Sequence, residues 1–446
     1  MVRVGFRNKI LLIAGAVVAS LLLVGAVAVA LLNPRLTKYI ESVAFRAEME
    51  KQTAKGLHFP NGKYRPIKRT GFLTATTDGF TAQDGRKALR SLETRGIRAK
   101  FNPLGVFLRR WQLDEVHVDG GEIGIQIYEP KPEPSPGKPW YHLFLPDRVY
   151  LKRVDSGPVD VTWRFRGERA GFFGTRLLIT PHGRDFNYQA TGGALKSPLL
   201  PDLVLRDTHL LITRKLLTLY NLDLHSGENG TVHAEGTAGT REDKSADFKI
   251  ALDRVPIAEW LPGSWSEHVS GEASAKIAWR GQNPKLEGSE GEASFRLDDG
   301  RIVRLPTLER LAGLTGEKAL EQLRLSECSA EVAWHYPKVE IRRLAIEDKE
   351  KFRAEGVITI ANKHLEGTID LGVARPLLSW LPTAEEVFPR EHDGYLWTTV
   401  RLAGTLDAPQ QDLSPRIMEA IKSDPGTALK LFFRQFGEWL DGAFGG

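Results

Sequence analysis

The chain has 446 residues, 41% of them hydrophobic, with a formal charge of +5 and a single cysteine. Arg3, Arg7 and Lys9 precede the first apolar run, so the rest is nearly balanced and carries no long basic stripe, which argues against a nucleic-acid partner. The lone Cys328 excludes an internal disulfide, and stability must come from packing and strand pairing.

Ile10 to Leu32 is an unbroken apolar or small stretch whose only hydroxyl is Ser20. As a helix it would reach roughly 34 Å, enough to cross a hydrocarbon core of about 30 Å. The cations before it leave residues 1–9 in the cytoplasm and send the remainder across. A cleaved signal peptide is the alternative, with Ala26-Val27-Ala28 and Ala28-Val29-Ala30 as cleavage sites, but the run is longer than an h-region.

Residues 33–56 read as an amphipathic helix. Pro34 suits a first turn, and Leu36, Ile40, Val43 and Ala47 recur at helical spacing until Gly56. The cluster Lys63, Arg65, Lys68 and Arg69 follows, a solvated loop or a contact for anionic lipid heads.

Residues 57–300 then alternate with period two. Ile123 and Ile125, Val159 to Phe165, Phe186 to Ala190, Leu217 and Leu219, Leu222 and Leu224, Phe248 to Leu252 and Ala293 to Leu297 each mark a half-buried strand. Turns are expected at Asn61-Gly62, Asn229-Gly230 and Asp299-Gly300. The pattern continues through 301–446 at Val332 and Trp334, Val339 and Ile341, Leu344 and Ile346, Ile358 and Ile360, Leu365 to Leu371 and Leu396 to Leu406. Roughly 18–22 strands and about four helices are expected, and the short connections favour antiparallel meanders. Two stretches break the alternation. Residues 129–140 carry Pro130, Pro132, Pro134, Pro136 and Pro139 and read as a spacer or inserted loop. Leu305 to Leu325 reads as a helix, and Pro415 to Lys422 and Thr427 to Leu440 as two more.

No catalytic motif emerges. Gly313 to Lys318 lacks phosphate-loop spacing, because Ala319 follows the lysine. His225 and His233 flank Asn229-Gly230 and could face each other across a hairpin; an ordinary cross-strand pair is favoured over a metal site. Asp114, Glu115, Asp119 and Glu122 read as a strand's wet face leading to a turn at Gly120-Gly121 rather than as a glycosidase pair. The chain is expected to be no enzyme and to need no metal or cofactor.

Four regions carry a resemblance. Leu92 to Ile127 is a run of strands around Gly120-Gly121. Asp298 to Gly316 opens on Gly300-Arg301-Ile302. Ser326 to Val373 sets Gly356-Val357-Ile358 before Leu365-Glu366-Gly367-Thr368-Ile369-Asp370-Leu371, and Val400 to Ile421 closes on Gly404-Thr405-Leu406 and Pro409. With the basic N-terminus and apolar run, this texture resembles the AsmA-like family of bacterial envelope proteins over Val4 to about Ile421; the chain is shorter than the best-known members. The resemblance implies a taco-like antiparallel β-groove with an apolar concave face and a few capping helices. It also implies an inner-membrane anchor, a periplasmic body, and a role in phospholipid movement or outer-membrane integrity.

Physical reasoning reaches the same surface. A long period-two sheet has one wet face and one apolar face, and too few helices are expected to cover the latter. Acyl chains are a suitable cover, with Phe248, Ile250, Phe295, Trp334 and Ile358 as the candidate lining. An envelope scaffold or outer-membrane assembly factor with protein partners is the alternative reading, and an envelope hydrolase a remote one.

Overall fold

The computed structural model describes residues 33–422, apart from 103–104, 106–110, 127–148, 184, 214, 240–244, 264, 283–284, 306–308, 310–311, 313–317, 350, 382 and 407. The apolar run 10–32, the proline stretch 129–140 and the helix expected at 427–440 lie outside these residues. Among those described, no helix is long and apolar enough to cross a membrane. The fold is mainly β, with 24 strands and a few short helices among the described residues. Contacts divide the chain into Met1–Gly183 and Arg184–Gly446.

In the first unit, helix α1 (Val43–Gly56) starts where the Ser42 hydroxyl accepts the Phe45 N–H at 3.1 Å. That cap interrupts the helix expected from 33 and changes its phase. Val43 and Ala47 face solvent, and Phe45 and Ala54 are buried instead. Ala54 packs with Phe59, Phe80 and Ala82.

The sheet of this unit is built on β3 (Thr74–Gln83), β4 (Leu89–Asn102) and β5 (Trp111–Ile125). The short strands β1 (Asn61–Tyr64) and β2 (Ile67–Arg69) pair with β3. Asn61-Gly62 is therefore strand rather than turn, and Gly62 leaves room for the Phe80 ring across it. β6 (Val149–Leu151) and β7 (Val154–Phe165) pair parallel to β5, and β8 (Glu168–His182) returns antiparallel to β7. This departs from the expected all-antiparallel meander. Segment 127–148 supplies the length a parallel return needs, which no tight turn can.

The apolar side of this sheet changes along its strands. Ala75, Ala99, Val116, Val154 and Ile179 align on one face, while Ala82, Leu92, Ile123, Val161 and Phe172 align on the other. Between the rows lie Gly79, Gly96, Gly120 and Gly121, and a Cβ on Gly79 or Gly121 would strike a neighbouring backbone carbonyl. Gly120-Gly121 is thus the middle of a strand and not its turn.

In the second unit, β9 (Asp185–Thr191) and β10 (Ala194–Ser197) flank successive halves of β11 (Leu200–Ile212). Each strand then pairs antiparallel with the next through β12 (Leu216–Ser226), β13 (Gly230–Gly239), β14 (Ser245–Pro256), β15 (Val269–Gln282) and β16 (Lys285–Val303). β16 pairs with β17 (Gln322–Arg324) and β18 (Glu327–His335), and β19 (Lys338–Asp348), β20 (Phe352–Ala361) and β21 (His364–Ala374) follow. β21 pairs with β23 (Tyr395–Thr405), whose far edge carries β22 (Arg390–His392) and β24 (Ala408–Gln411). Two sequence expectations change here. Asp299-Gly300 is a bulge inside β16, with Asp299 at φ 51°, and Leu323 of the expected helix 305–325 lies in β17.

Because the strands alternate in direction, successive connections fall on opposite rims. One rim collects the helical inserts: α2 (Ile257–Trp260), α3 (Trp265–His268), the tight helical turns Lys318–Glu321 and Arg375–Leu378, and α4 (Ala384–Val387). The other has short connections such as 335–338 and 361–364. Helix α5 (Leu413–Lys422) closes the β21–β23 end, where Leu413, Ile417 and Ala420 join Leu378, Val387, Phe388, Leu396, Val400 and Leu402 in one core.

The exposed edge of β23 between β22 and β24 is blunted. Arg416 donates to the Thr399 carbonyl at 2.7 Å and to the Thr398 hydroxyl at 2.8 Å, and Asp412 accepts the Arg401 N–H at 2.8 Å. Side chains thereby occupy backbone groups that an incoming strand would need.

Candidate functional site

The register of the second unit aligns three cross-strand rows on one face. The first runs Leu219, Gly236, Phe248, Trp279, Gly291, Trp334, Val339, Ile360. The second runs Leu222, Ala234, Ile250, Ile277, Ala293, Val332, Ile341, Ile358, Gly367, Leu402. The third runs Leu224, Val232, Leu252, Ala275, Phe295, Ala330, Leu344, Gly356, Ile369, Val400. No charged residue stands in any of them.

All five candidate lining residues fall in these rows: Phe248 and Trp334 in the first, Ile250 and Ile358 in the second, Phe295 in the third. Trp279, Ile277 and Ile341 belong with them and were missed. The alternation of Ile277 and Trp279 was the available signal.

Coverage of this face is uneven. At the insert-bearing rim Val255, Ala273 and Leu297 are buried, and Trp260 donates to the buried Ser226 hydroxyl at 3.0 Å. At the β21–β23 end Leu365, Val400 and Leu402 are buried under α4 and α5, with Ile358 and Ile360 against that core. Between these limits, every residue of the three rows on β14 through β19 is only half-buried. The central floor is apolar and incompletely covered by described protein.

Its aromatic rings lie over glycines. A Cβ on Gly236 would sit 2.5 Å from the Phe248 ring, one on Gly281 2.7 Å from Trp279, and one on Gly291 2.4 Å from the Trp334 ring. Gly236 and Gly291 make room for a ring from the neighbouring strand, and Gly281 for the Trp279 ring of its own strand. Phe248 and Trp279 stand 6.2 Å apart, tilted by 34°.

The opposite face is wet and charged. Arg280 pairs with Asp247 at 2.9 Å, Arg343 with Glu331 at 2.9 Å and Lys249 with Glu235 at 3.7 Å. Such exposed pairs add little stability and keep that face in water. His233 sits opposite Asp223, 2.6 Å away, whereas His225 sits opposite Thr231, so the two histidines do not face each other. Among the described residues no group of three or more His, Cys, Asp or Glu is placed to hold a metal. Burial pushes the Cys328 thiol up.

The carboxylates of β5 are separately engaged. Glu122 lies 3.1 Å from Arg169 and accepts the Thr162 hydroxyl at 3.0 Å, and Asp119 lies 3.3 Å from His117. Asp114 takes hydrogen bonds from Lys152 at 2.9 Å and from Asn102 at 2.8 Å, which hold its pKa down at about 2. Its folded value lies below its ordinary one, so its contribution is present above the ordinary carboxylate range and is lost as pH falls from about 4 to about 2. In Asp114→Asn, urea midpoints are expected to decline less across that window than in the parent. Equal declines would remove Asp114 from the acid response.

Compared with protein-family models, curated proteins and solved structures, the chain shows no match.

Proposed function

We propose that this chain is an AsmA-like envelope protein, anchored in the inner membrane through residues 10–32. In this reading its periplasmic body carries phospholipid acyl chains along the apolar floor of the second unit, without catalysis. The observation that carries it is the three-row apolar face, half-covered from β14 to β19 and backed by a charged face. An exposed apolar surface of that extent needs an occupant. Each methylene kept from water is worth about 0.8 kcal/mol, so a single tail supplies many times thermal energy. Such a floor would keep the tail dry and leave the charged head in solvent. The scaffold alternative would use free strand edges, and the one on β23 is blocked by Arg416 and Asp412.

The test is lipid mass spectrometry on full-length protein extracted without detergent and freed of bulk membrane by gel filtration. Phospholipid is expected at about one molecule or more per chain. Lipid-free protein that also fails to take up a fluorescent phospholipid would end the proposal.

A further inference from the structure

The described chain begins at Asn33, and its first turn is fastened to the sheet of the first unit. The Arg69 guanidinium donates to the Asn33 carbonyl at 3.1 Å, to the Asn33 side-chain oxygen and to the Thr37 hydroxyl at 2.8 Å. The Arg69 N–H donates to Glu41 at 3.1 Å. The same guanidinium donates to the Phe72 carbonyl at 2.8 Å and lies 5.6 Å from the centre of its ring. One arginine therefore gathers the end of the apolar run and the tip of the turn between β2 and β3.

That tip is unusual for a solvated turn. Phe72 is 52% exposed, as is Tyr39 on the adjoining helical turn. Arg35, Lys38 and Lys68 are exposed, and among the described residues no carboxylate pairs with them. Exposed aromatics on the same segments as exposed cations suit the boundary between acyl chains and anionic head groups.

We propose that this end of the first unit is a seat on an anionic bilayer, with Phe72 and Tyr39 entering the interface and Arg35, Lys38 and Lys68 meeting lipid phosphates. The inference rests on reading 10–32 as a span, which puts Asn33 at the membrane's edge, and it is independent of the acyl floor in the second unit. A membrane is the occupant because the chain just outside the described residues is an apolar run of spanning length. The seat restrains the body at the bilayer instead of leaving it on a free tether.

The experiment uses full-length protein in nanodiscs of phosphatidylcholine with or without phosphatidylglycerol. On a Cys328→Ser background, Phe72→Cys carries a bimane label, and a separate Leu22→Cys label reports the span. With phosphatidylglycerol, doxyl lipids are expected to quench the Phe72 label about twofold or more, and combined Arg35→Glu, Lys38→Glu and Lys68→Glu to halve that quenching or better. A quenched Leu22 label beside an unquenched Phe72 label overturns the seat and leaves the anchor standing. Two unquenched labels overturn both. Quenching that ignores phosphatidylglycerol and the charge reversals overturns the anionic seat. None of these outcomes depends on lipid uptake by the second unit.

Discussion

Replacing Asp348 with alanine is expected to destabilise the second unit by about 3–5 kcal/mol, the usual effect of leaving one half of a buried ion pair alone. Asp348 is 4% exposed and lies 3.0 Å from the Lys351 ammonium, which is itself largely buried. It also accepts the Arg324 N–H at 2.9 Å, tying β17 to the end of β19. Its neighbour Glu347, 8% exposed, accepts the Ser326 hydroxyl at 2.9 Å and faces Arg353 at 3.2 Å. Deletion of Asp348 leaves the Lys351 ammonium with the Gln322 carbonyl but no counter-charge, and strands the Arg324 N–H where water cannot fully replace its partner. Combining Asp348→Leu with Lys351→Met is expected to cost less than Asp348→Ala alone, because no uncompensated charge remains. Urea unfolding monitored by near-ultraviolet circular dichroism checks both. A loss below about 1 kcal/mol for Asp348→Ala would show the pair to be effectively solvated.

The second large effect is expected from one substitution made at two adjacent positions. Ala293 lies in the floor between Ile277 and Val332, and Ser294 lies on the wet face between Lys276 and Glu331. On the proposed reading an aspartate at 293 would stand beneath the lipid tail, where burying a carboxylate in hydrocarbon costs about 3 kcal/mol. Ala293→Asp is therefore expected to weaken phospholipid uptake about a hundredfold. Ser294→Asp, beside Lys276, is expected to leave uptake unchanged. Both sites are incompletely buried, so neither variant should unfold the sheet, and circular dichroism verifies that. Equal uptake by the two variants would remove the floor from the binding path.

Period-two alternation located the strands because each stretch of strand turns one side at a time to apolar neighbours. Phe248 and Ile250, or Val332 and Trp334, announce themselves without any partner. The rows were not legible, because register depends on turn lengths and bulges that alternation does not encode. The bulge opposite Val332, which admits the extra Arg342, is one such case. The helix at 33–56 was misphased because the Ser42 cap restarts it and turns Val43 and Ala47 of the apolar stripe to solvent. The parallel pairing of β5 was hidden because it depends on the 127–148 crossover. Glu347 and Asp348 sit in a charged stretch, Glu347 to Arg353, where the sequence carries no alternation to mark them as buried. Their burial depends on Arg324 of β17, Ser326 of the β17–β18 connection and Tyr395 of β23.

Trp334, Trp279 and Phe248 resting on bare backbone has a practical consequence. Pavement of that kind has no notches in which a particular carbon could lodge, so it would favour greasiness over shape. If acyl chains are its cargo, as proposed, tails differing in length or unsaturation should travel over it with similar ease, a property that suits a conveyor better than a sensor.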